Sequence, residues 1–174
     1  MPNWVDNILK ITGLPERINE LREFIAGVDS KGKPLLLDFN KVVPMPEELG
    51  LTTAPNTVNA QEMTDKYGFQ DWYAFCNSQW GTKWNLNSNN ICIVDNGDTS
   101  GETFELRFDT AWSPPVGIIR ALGEKFPDLD FKLLACDPGM EWGYSMTIND
   151  GVAVENEITY QEAKGLFGLD DYED

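Results

Sequence analysis

Histidine is absent from this chain of 174 residues. Its absence removes Ser-His-Asp and Cys-His nucleophilic sites, imidazole ligation of metals and the usual general base at neutral pH. Any chemistry would depend on carboxylates, lysine, tyrosine or cysteine. The sequence therefore favours a binding protein over an enzyme, and we expect no catalytic residues.

Cysteine is scarce, and its spacing excludes the common roles of clustered thiols. Cys76, Cys92 and Cys136 form no CxxC pair and are odd in number, which argues against a disulfide framework or a zinc site. Each lies in an apolar stretch, so we expect three buried free thiols. The acidic residues between 95 and 102 do not match the EF-hand spacing and favour a solvated turn over a calcium site. We predict no metal and no cofactor.

Long hydrophobic runs are also missing. No stretch approaches the roughly 18 apolar residues that a transmembrane helix needs. The first residues, Met1 to Asp6, lack the basic start and apolar run of a signal peptide. These absences predict a cytoplasmic protein with no membrane partner.

Basic residues are few, and acidic residues are abundant. The chain has 29 acidic and 13 basic residues, a formal net charge of −16. Residues 1–97 carry 12 acids and 8 bases, whereas residues 98–174 carry 17 acids and 5 bases. Such a field repels nucleic acid and anionic membranes and attracts basic surfaces. We therefore expect no direct nucleic-acid binding. A merely solvated acidic face is the alternative to a basic protein partner.

The first half of the chain predicts a βαβ unit followed by a further helix. Alternation over Asn3–Gly13 indicates a strand, Pro15 opens a helix, and residues 35–43 have the apolar character of a second strand. Residues 50–60 are typical of a loop. Residues 69–80 have helical spacing, and the glycine that follows them is a natural stop.

The second half predicts four or five strands, a helix between them and a short terminal helix. The strands are Ile91–Val94, Thr103–Phe108, Phe131–Cys136, Trp142–Ile148 and, less regular, Val152–Ile158. An Asn-Gly pair joins the first two, Phe131–Cys136 has the apolar character of a central strand, and Ser113-Pro114 opens the helix. Thr159 and Glu162 have capping-box spacing.

This order of elements predicts an α+β fold, with a ferredoxin-like, mostly antiparallel sheet and helices packed on one face. No linker divides the chain, so we expect a single domain over residues 1–174. The acidic tail, 169–174, is too charged to pack.

Two aromatic segments are candidates for a ligand site. Trp80-Gly81-Thr82-Lys83-Trp84 could stack a planar group and hold an anion, or its indoles could cap the core while Lys83 shields them. The segment from Asp109 to Pro115 could present backbone amides to an anion, or Ser113 could cap the helix while Trp112 wedges the loop. If the two loops meet at one sheet edge, the candidate ligand-binding residues are Trp80, Lys83, Trp84, Asp109 and Trp112.

Carboxylates along the later strands suggest two further roles. Glu105 and Asp109 share a strand face and could form an acid–base pair, although Arg107 between them favours a surface charge ladder. Glu155 and Glu157 should project from one strand face roughly 6.6 Å apart, a spacing that could imitate phosphates. The candidate acidic partner-binding surface is Glu141, Asp150, Glu155, Glu157 and Glu162.

Several segments together carry a family resemblance. They are Met1-Pro2-Asn3-Trp4, Val42 to Leu49, Trp80 to Trp84, Phe108 to Pro115 and Trp142-Gly143-Tyr144. Their succession resembles the YubB-like family of small proteins from bacterial plasmids and phages, whose C-terminal part is ferredoxin-like. Val5 departs from the cysteine expected in many relatives. The resemblance implies a fold and a mobile-element origin in a bacterial host, but no reaction and no catalytic residues.

Three functional hypotheses follow. The leading one is an acidic phage- or plasmid-derived protein that binds a host protein with a basic surface, as a nucleic-acid mimic that counteracts a host defence or DNA-handling system. The second is a small-anion, nucleotide-binding or enzymatic domain with the Trp/Lys/Asp site. The third is a structural or self-associating protein, and the sequence leaves the oligomeric state open.

Overall fold

A computed structural model of the protein describes residues 3–95 and 97–167, and a six-stranded antiparallel sheet is its main feature. The strands are β1 (Trp4–Thr12), β2 (Gly27–Val28), β3 (Pro34–Leu35), β4 (Ile91–Ile93), β5 (Thr103–Ala111), β6 (Asp130–Asp137), β7 (Trp142–Asn149) and β8 (Val152–Thr159). The helices are α1 (Pro15–Ile25), α2 (Phe39–Val42), α3 (Glu47–Gly50), α4 (Ala60–Tyr67), α5 (Trp72–Phe75), α6 (Val116–Lys125) and α7 (Tyr160–Leu166). A π-helical turn, Cys76–Trp80, continues α5.

The sheet has the order β4-β5-β1-β6-β7-β8, while β2 and β3 form a separate ribbon. β1 lies between β5 and β6 and is antiparallel to both. β5 and β6 are therefore parallel to each other and are joined through α6, which makes a split βαβ unit. This arrangement confirms the predicted α+β, ferredoxin-like fold class.

Alternating side chains on the sheet build the main hydrophobic core on the face that carries most of the helices. Leu9, Leu106 and Leu133 from three adjacent strands are fully buried there, together with Leu21 of α1 and Leu122 of α6. β6 lies between β1 and β7, which confirms the prediction of a central strand. On β5, Phe104, Leu106 and Phe108 are buried, as the alternation predicts.

The terminal helix α7 is an exception to the packing of helices on one face. Its Ala163 and the following Phe167 pack against Leu134 and Cys136 on the opposite face of β6. Close packing requires Gly143 on β7, because a Cβ there would lie 2.9 Å from the Ala163 Cβ. Thr159 and Glu162 form the predicted capping box at the start of α7.

The predicted second strand over residues 35–43 is wrong. The strand that forms there, β3, covers only Pro34–Leu35 and pairs with Gly27–Val28. The Asp38 side chain accepts a hydrogen bond from the Asn40 N–H and so caps α2. The predicted βαβ unit therefore does not form, and β1 takes both of its partners from the second half of the chain.

Three other local predictions also need correction. The helix expected over 69–80 is the short α5 with its π-helical turn, although Gly81 ends it in a left-handed conformation as predicted. The β4–β5 hairpin forms as predicted, but β4 ends at Ile93 and β5 extends to Ala111, so the strand bounds differ from those expected. Cys92 is exposed on the short β4, whereas Cys76 and Cys136 are buried as expected.

The described parts of the chain contain no helix that is both long enough and apolar enough to cross a membrane. The predicted acidic tail at 169–174 lies outside the described residues. The single-domain organisation over 1–174 stays a prediction.

Candidate ligand-binding site

A pocket of about 590 Å³ opens at the edge of the sheet beside the last residues of β5. β4 pairs only with Leu106–Phe108, so no strand from the described part of the chain lies beside residues 109–111 of β5 on that edge. The loop between Gly81 and β4 takes the place of a strand there. Its Asn90 accepts a hydrogen bond from the Asp109 N–H and donates one to the Asp109 carbonyl, both 3.0 Å long.

Hydrogen-bonded Asp and Asn side chains hold the rim of this pocket together. Asn85 donates to the Asp38 carboxylate at 2.7 Å and accepts from the Phe39 N–H at 3.0 Å. Asp29 accepts from the N–H groups of Lys33 and Ser88, and these hydrogen bonds hold the pKa of Asp29 well below its usual range. Asp29 and Asp38 therefore hold the loops of the pocket rim in place, and their carboxylates already accept hydrogen bonds from the protein.

Trp80 forms part of the pocket floor but belongs to the core. It is only 2% exposed, and its Nε1–H donates to the Val43 carbonyl at 2.9 Å. Its ring packs edge-on against Phe39 and Phe75, with centroid distances of 5.8 and 6.0 Å. This predicted ligand residue therefore supports the pocket from below.

Lys83 and Trp84 form the open side of the pocket. The Lys83 ammonium lies 4.4 Å from the Trp84 ring centroid and 5.7 Å from that of Tyr73. Trp84 is 38% exposed, and its ring centroid is 6.3 Å from that of Trp4, a residue whose sequence context predicts only the start of a strand. Within the described residues Lys83 makes no ion pair. Its charge is available to a ligand.

Asp109 lines the same pocket and faces Asp6 across the β1–β5 ladder. The pKa of Asp109 is raised to about 6, first by burial and then by the hydrogen bond and the negative charge of Asp6, while Arg107 acts in the opposite direction. Arg107 Nη2 lies 3.9 Å from an Asp6 carboxylate oxygen. Glu105 instead faces Lys10. The close carboxylate pair is therefore Asp6–Asp109, which depends on a strand register that the sequence did not reveal.

Trp112, the fifth predicted ligand residue, lies in a different pocket. It is 52% exposed, has a φ of 73° and lines a cavity together with Trp142 and Tyr144. Ser113 does not cap α6, as one interpretation expected, because its hydroxyl donates to the Gly81 carbonyl at 2.5 Å. The structure thus brings four of the five candidates together and separates the fifth.

The five residues of the candidate acidic surface are spread over the fold. Glu155 and Glu157 share the helix-covered face of β8, opposite Met146 and Tyr144. Glu162 accepts the capping hydrogen bond of α7 on the other face. Glu141 and Asp150 lie in turns at opposite ends of β7, a strand that is roughly 24 Å long by strand rise. Only the first two acids are neighbours on one face.

The split βαβ sheet with a pocket at its edge defines a ferredoxin-like α+β protein. Residues 79–174, more than half of the chain, match the family model described as the ferredoxin-like domain in Api92-like protein. The chain therefore belongs to the Api92-like family. This assignment confirms the expected ferredoxin-like C-terminal part.

A solved structure and the curated proteins complete the comparison. The chain resembles the crystal structure of the protein api92 from Yersinia pseudotuberculosis, with a TM-score of 0.57 and 12% sequence identity. The match covers 91% of this chain and 98% of that one. At this identity the likeness is evidence for the fold alone. No curated protein matches the chain.

Proposed function

We propose that the protein binds a small planar ligand in the pocket between Trp84, Lys83 and Asp109. The observation that supports this proposal most strongly is the convergence of four sequence-predicted residues on one pocket of about 590 Å³. That volume is in the range of small-molecule sites. A base-like ring would stack on Trp84, an anionic group would meet the Lys83 ammonium, and a donor edge would face the Asp109 carboxyl.

The charges around the pocket limit how much negative charge the ligand can carry. Three carboxylates, those of Asp29, Asp38 and Asp109, line it with a single lysine. Two of them are held by backbone or amide hydrogen bonds, but they still repel anions. A nucleoside or a monophosphate therefore suits the pocket better than a triphosphate.

Replacing Lys83 with methionine should weaken binding of adenosine monophosphate by about tenfold, since one exposed charge contact is lost while the aliphatic stem stays. Binding would be measured by isothermal titration with the monophosphate, the triphosphate, adenosine and inorganic phosphate. We expect the monophosphate to bind most tightly of the four compounds. The substitution should weaken the binding of adenosine less than that of the monophosphate.

Lys125 offers a matched control. Its ammonium lies 4.3 Å from the Phe24 centroid, so it has the same kind of ring contact outside the pocket. Lys125→Met should leave the affinity unchanged. Failure of all four compounds to bind, or equal effects of both substitutions, would rule out this function.

A second candidate function is binding of a host protein with a basic surface by an acidic protein of phage or plasmid origin in the bacterial cytoplasm. The observation in its favour is the excess of 17 acids over 5 bases in residues 98–174. On the edge strand β8, Glu157 adds a carboxylate without an ion pair within the described residues, next to Glu155, which pairs with Arg120. The resemblance to the YubB-like family supports the mobile-element origin.

Immobilised protein should recover a basic, nucleic-acid-handling protein from bacterial lysate at low salt. The complex should dissociate as salt rises and should be displaced by duplex DNA, because DNA would compete for the same basic surface. Recovery of nothing, or of a partner that DNA does not displace, would contradict nucleic-acid mimicry.

A further inference from the structure

A second pocket, of about 530 Å³, lies on the helix-covered face of β7 and β8 next to the start of α6. Its walls combine large aromatic and apolar side chains with carboxylates. They include Trp112, Met140, Trp142 and Tyr144, together with Asp137, Glu155 and Glu157. This pocket has no role that follows from the sequence pattern or from the family.

Aromatic rings form two sides of the pocket. Trp142 and Tyr144, two residues apart on β7, stack with a centroid distance of 5.9 Å and an interplanar angle of 22°. Trp112 approaches from the loop before α6 with a left-handed backbone, which costs about 1 kcal/mol for a residue other than glycine. A hydrogen bond from its N–H to the Asn3 carbonyl, 3.0 Å long, holds that backbone, yet the indole stays half exposed. The strained loop thus presents an indole to the pocket.

Negative charge accompanies these rings. The negative charge of Glu155 is compensated, because its carboxylate pairs with Arg120 and accepts a 2.6 Å hydrogen bond from the Tyr144 hydroxyl. Asp137 accepts hydrogen bonds from backbone N–H groups and from Asn3, but no basic side chain pairs with it in the described ranges. The side chain of Glu157, which lies opposite Tyr144 in the β7–β8 ladder, makes neither a hydrogen bond nor an ion pair within those ranges. Two carboxylates without a basic partner in the described ranges therefore lie beside the π faces.

We propose that this pocket binds an organic cation bearing an alkylated ammonium group. The face of an aromatic ring attracts a cation, and a quaternary or alkylated ammonium is the type of cation that aromatic cages recognise. Its methyl groups bury apolar surface against Trp142 and Met140, while Glu157 and Asp137 supply the opposite charge. An anion would be repelled, and a metal ion such as calcium would find too few oxygen ligands among the indoles.

Such a group can belong to a free metabolite or to a methylated lysine on a polypeptide. Both sources share the same chemistry at the pocket, and the net charge of −16 would concentrate either one near the surface. The proposal does not depend on the Lys83 pocket, which has a different lining.

Choline and its uncharged isostere 3,3-dimethyl-1-butanol provide the direct test. Choline should quench tryptophan fluorescence saturably, and its N-methyl proton signal should shift upfield because the methyl groups lie over the rings. The isostere, which has the same shape without the charge, should bind at least tenfold more weakly. Equal binding of the two compounds, or no binding of choline, would overturn the proposal.

Glu157→Gln should weaken choline binding by about fivefold, since one carboxylate near the cation is neutralised. Trp112→Leu should weaken it by about tenfold through loss of a ring face. Asp150→Asn is the matched control: it removes the same charge at the far turn of β7–β8 and should leave the affinity unchanged. Lys83→Met should also have no effect. If Asp150→Asn weakened choline binding as much as Glu157→Gln, the effect would be explained by net charge alone and the proposed site would be wrong.

Peptides that contain trimethyllysine or unmodified lysine separate the two sources. Tighter binding of the trimethyllysine peptide than of choline would assign the pocket to a methylated protein, whereas weaker binding would assign it to a free metabolite. Preference for the unmodified lysine peptide over the methylated one would overturn the alkylated-ammonium proposal.

Discussion

Replacing Trp80 with alanine should lower the free energy of unfolding by about 3–5 kcal/mol, the range for deleting a fully buried aromatic side chain. The indole fills the space against Phe39 and Phe75, and its loss would leave the Val43 carbonyl without its 2.9 Å hydrogen bond. Equilibrium urea unfolding, followed by circular dichroism, measures the change. Trp80 would thus act on ligand binding through the shape of the pocket floor.

Trp84→Ala provides the comparison on the other side of the same pocket. Trp84 is 38% exposed and contacts Trp4 and Lys83 at the surface, so its removal should cost about 1 kcal/mol or less. Ligand affinity should show the opposite ranking of the two variants. In protein that remains folded, Trp84→Ala should lower the affinity more than Trp80→Ala, because only Trp84 contacts the ligand directly. Similar stabilities for the two variants would contradict the division of the segment into a core residue and a ligand-facing residue.

The second half of the chain could be predicted from sequence because its signals are local. The alternation on β5 and the capping box of α7 depend on residues within a few positions of each other. These two local preferences agree with the tertiary structure. The ferredoxin-like class therefore follows from strands and turns that the sequence specifies directly.

The first half could not be predicted as well, since tertiary contacts override its local pattern. Residues 35–43 have the hydrophobicity of a strand, but Leu37 and Phe39 are buried from a short helix and the turn before it. The decisive signal is the Asp38 side chain, which caps α2 and also accepts from Asn85, 47 residues later. A short apolar run alone does not distinguish these outcomes.

The candidate site could likewise be predicted from the sequence only where its residues are close together in the chain. Trp80, Lys83 and Trp84 are close in sequence, and Gly81 turns the chain so that all three border one pocket. Trp4 completes that surface, and Asp6 lies opposite Asp109, only because β1 inserts beside β5, a pairing more than 100 residues distant in sequence. Trp112 follows Asp109 by three residues but leaves the strand with a left-handed backbone and enters the second pocket.

The Asp6–Asp109 pair should make the stability of the protein depend on pH in a way that Asp109→Asn removes. The pKa of Asp109 is about 6 in the folded protein against an ordinary value of 3.8. The folded state therefore holds this proton more tightly than the unfolded state. The contribution of this bound proton to the free energy of unfolding is fully present below about pH 4 and is lost as pH rises through 6. The variant should be more stable than the parent protein at pH 8 by about 1–2 kcal/mol, a value reduced for screening by solvent and Arg107.

Urea unfolding at pH 4 and pH 8 measures this effect as a difference between the variant and the parent. The difference is needed because hydrogen bonds and ion pairs lower the pKa of Asp29, Glu48 and Asp128, whose contributions to stability rise with pH. Asp150→Asn also removes one negative charge, but from an exposed turn, and it should change the free energy of unfolding by less than about 0.5 kcal/mol. A gain at pH 8 that is equal in both variants would show that net charge, and not the close carboxylate pair beside the pocket, sets the pH dependence. The expected result, a gain confined to Asp109→Asn and to high pH, would show that the edge of the pocket keeps a shared proton close to neutral pH.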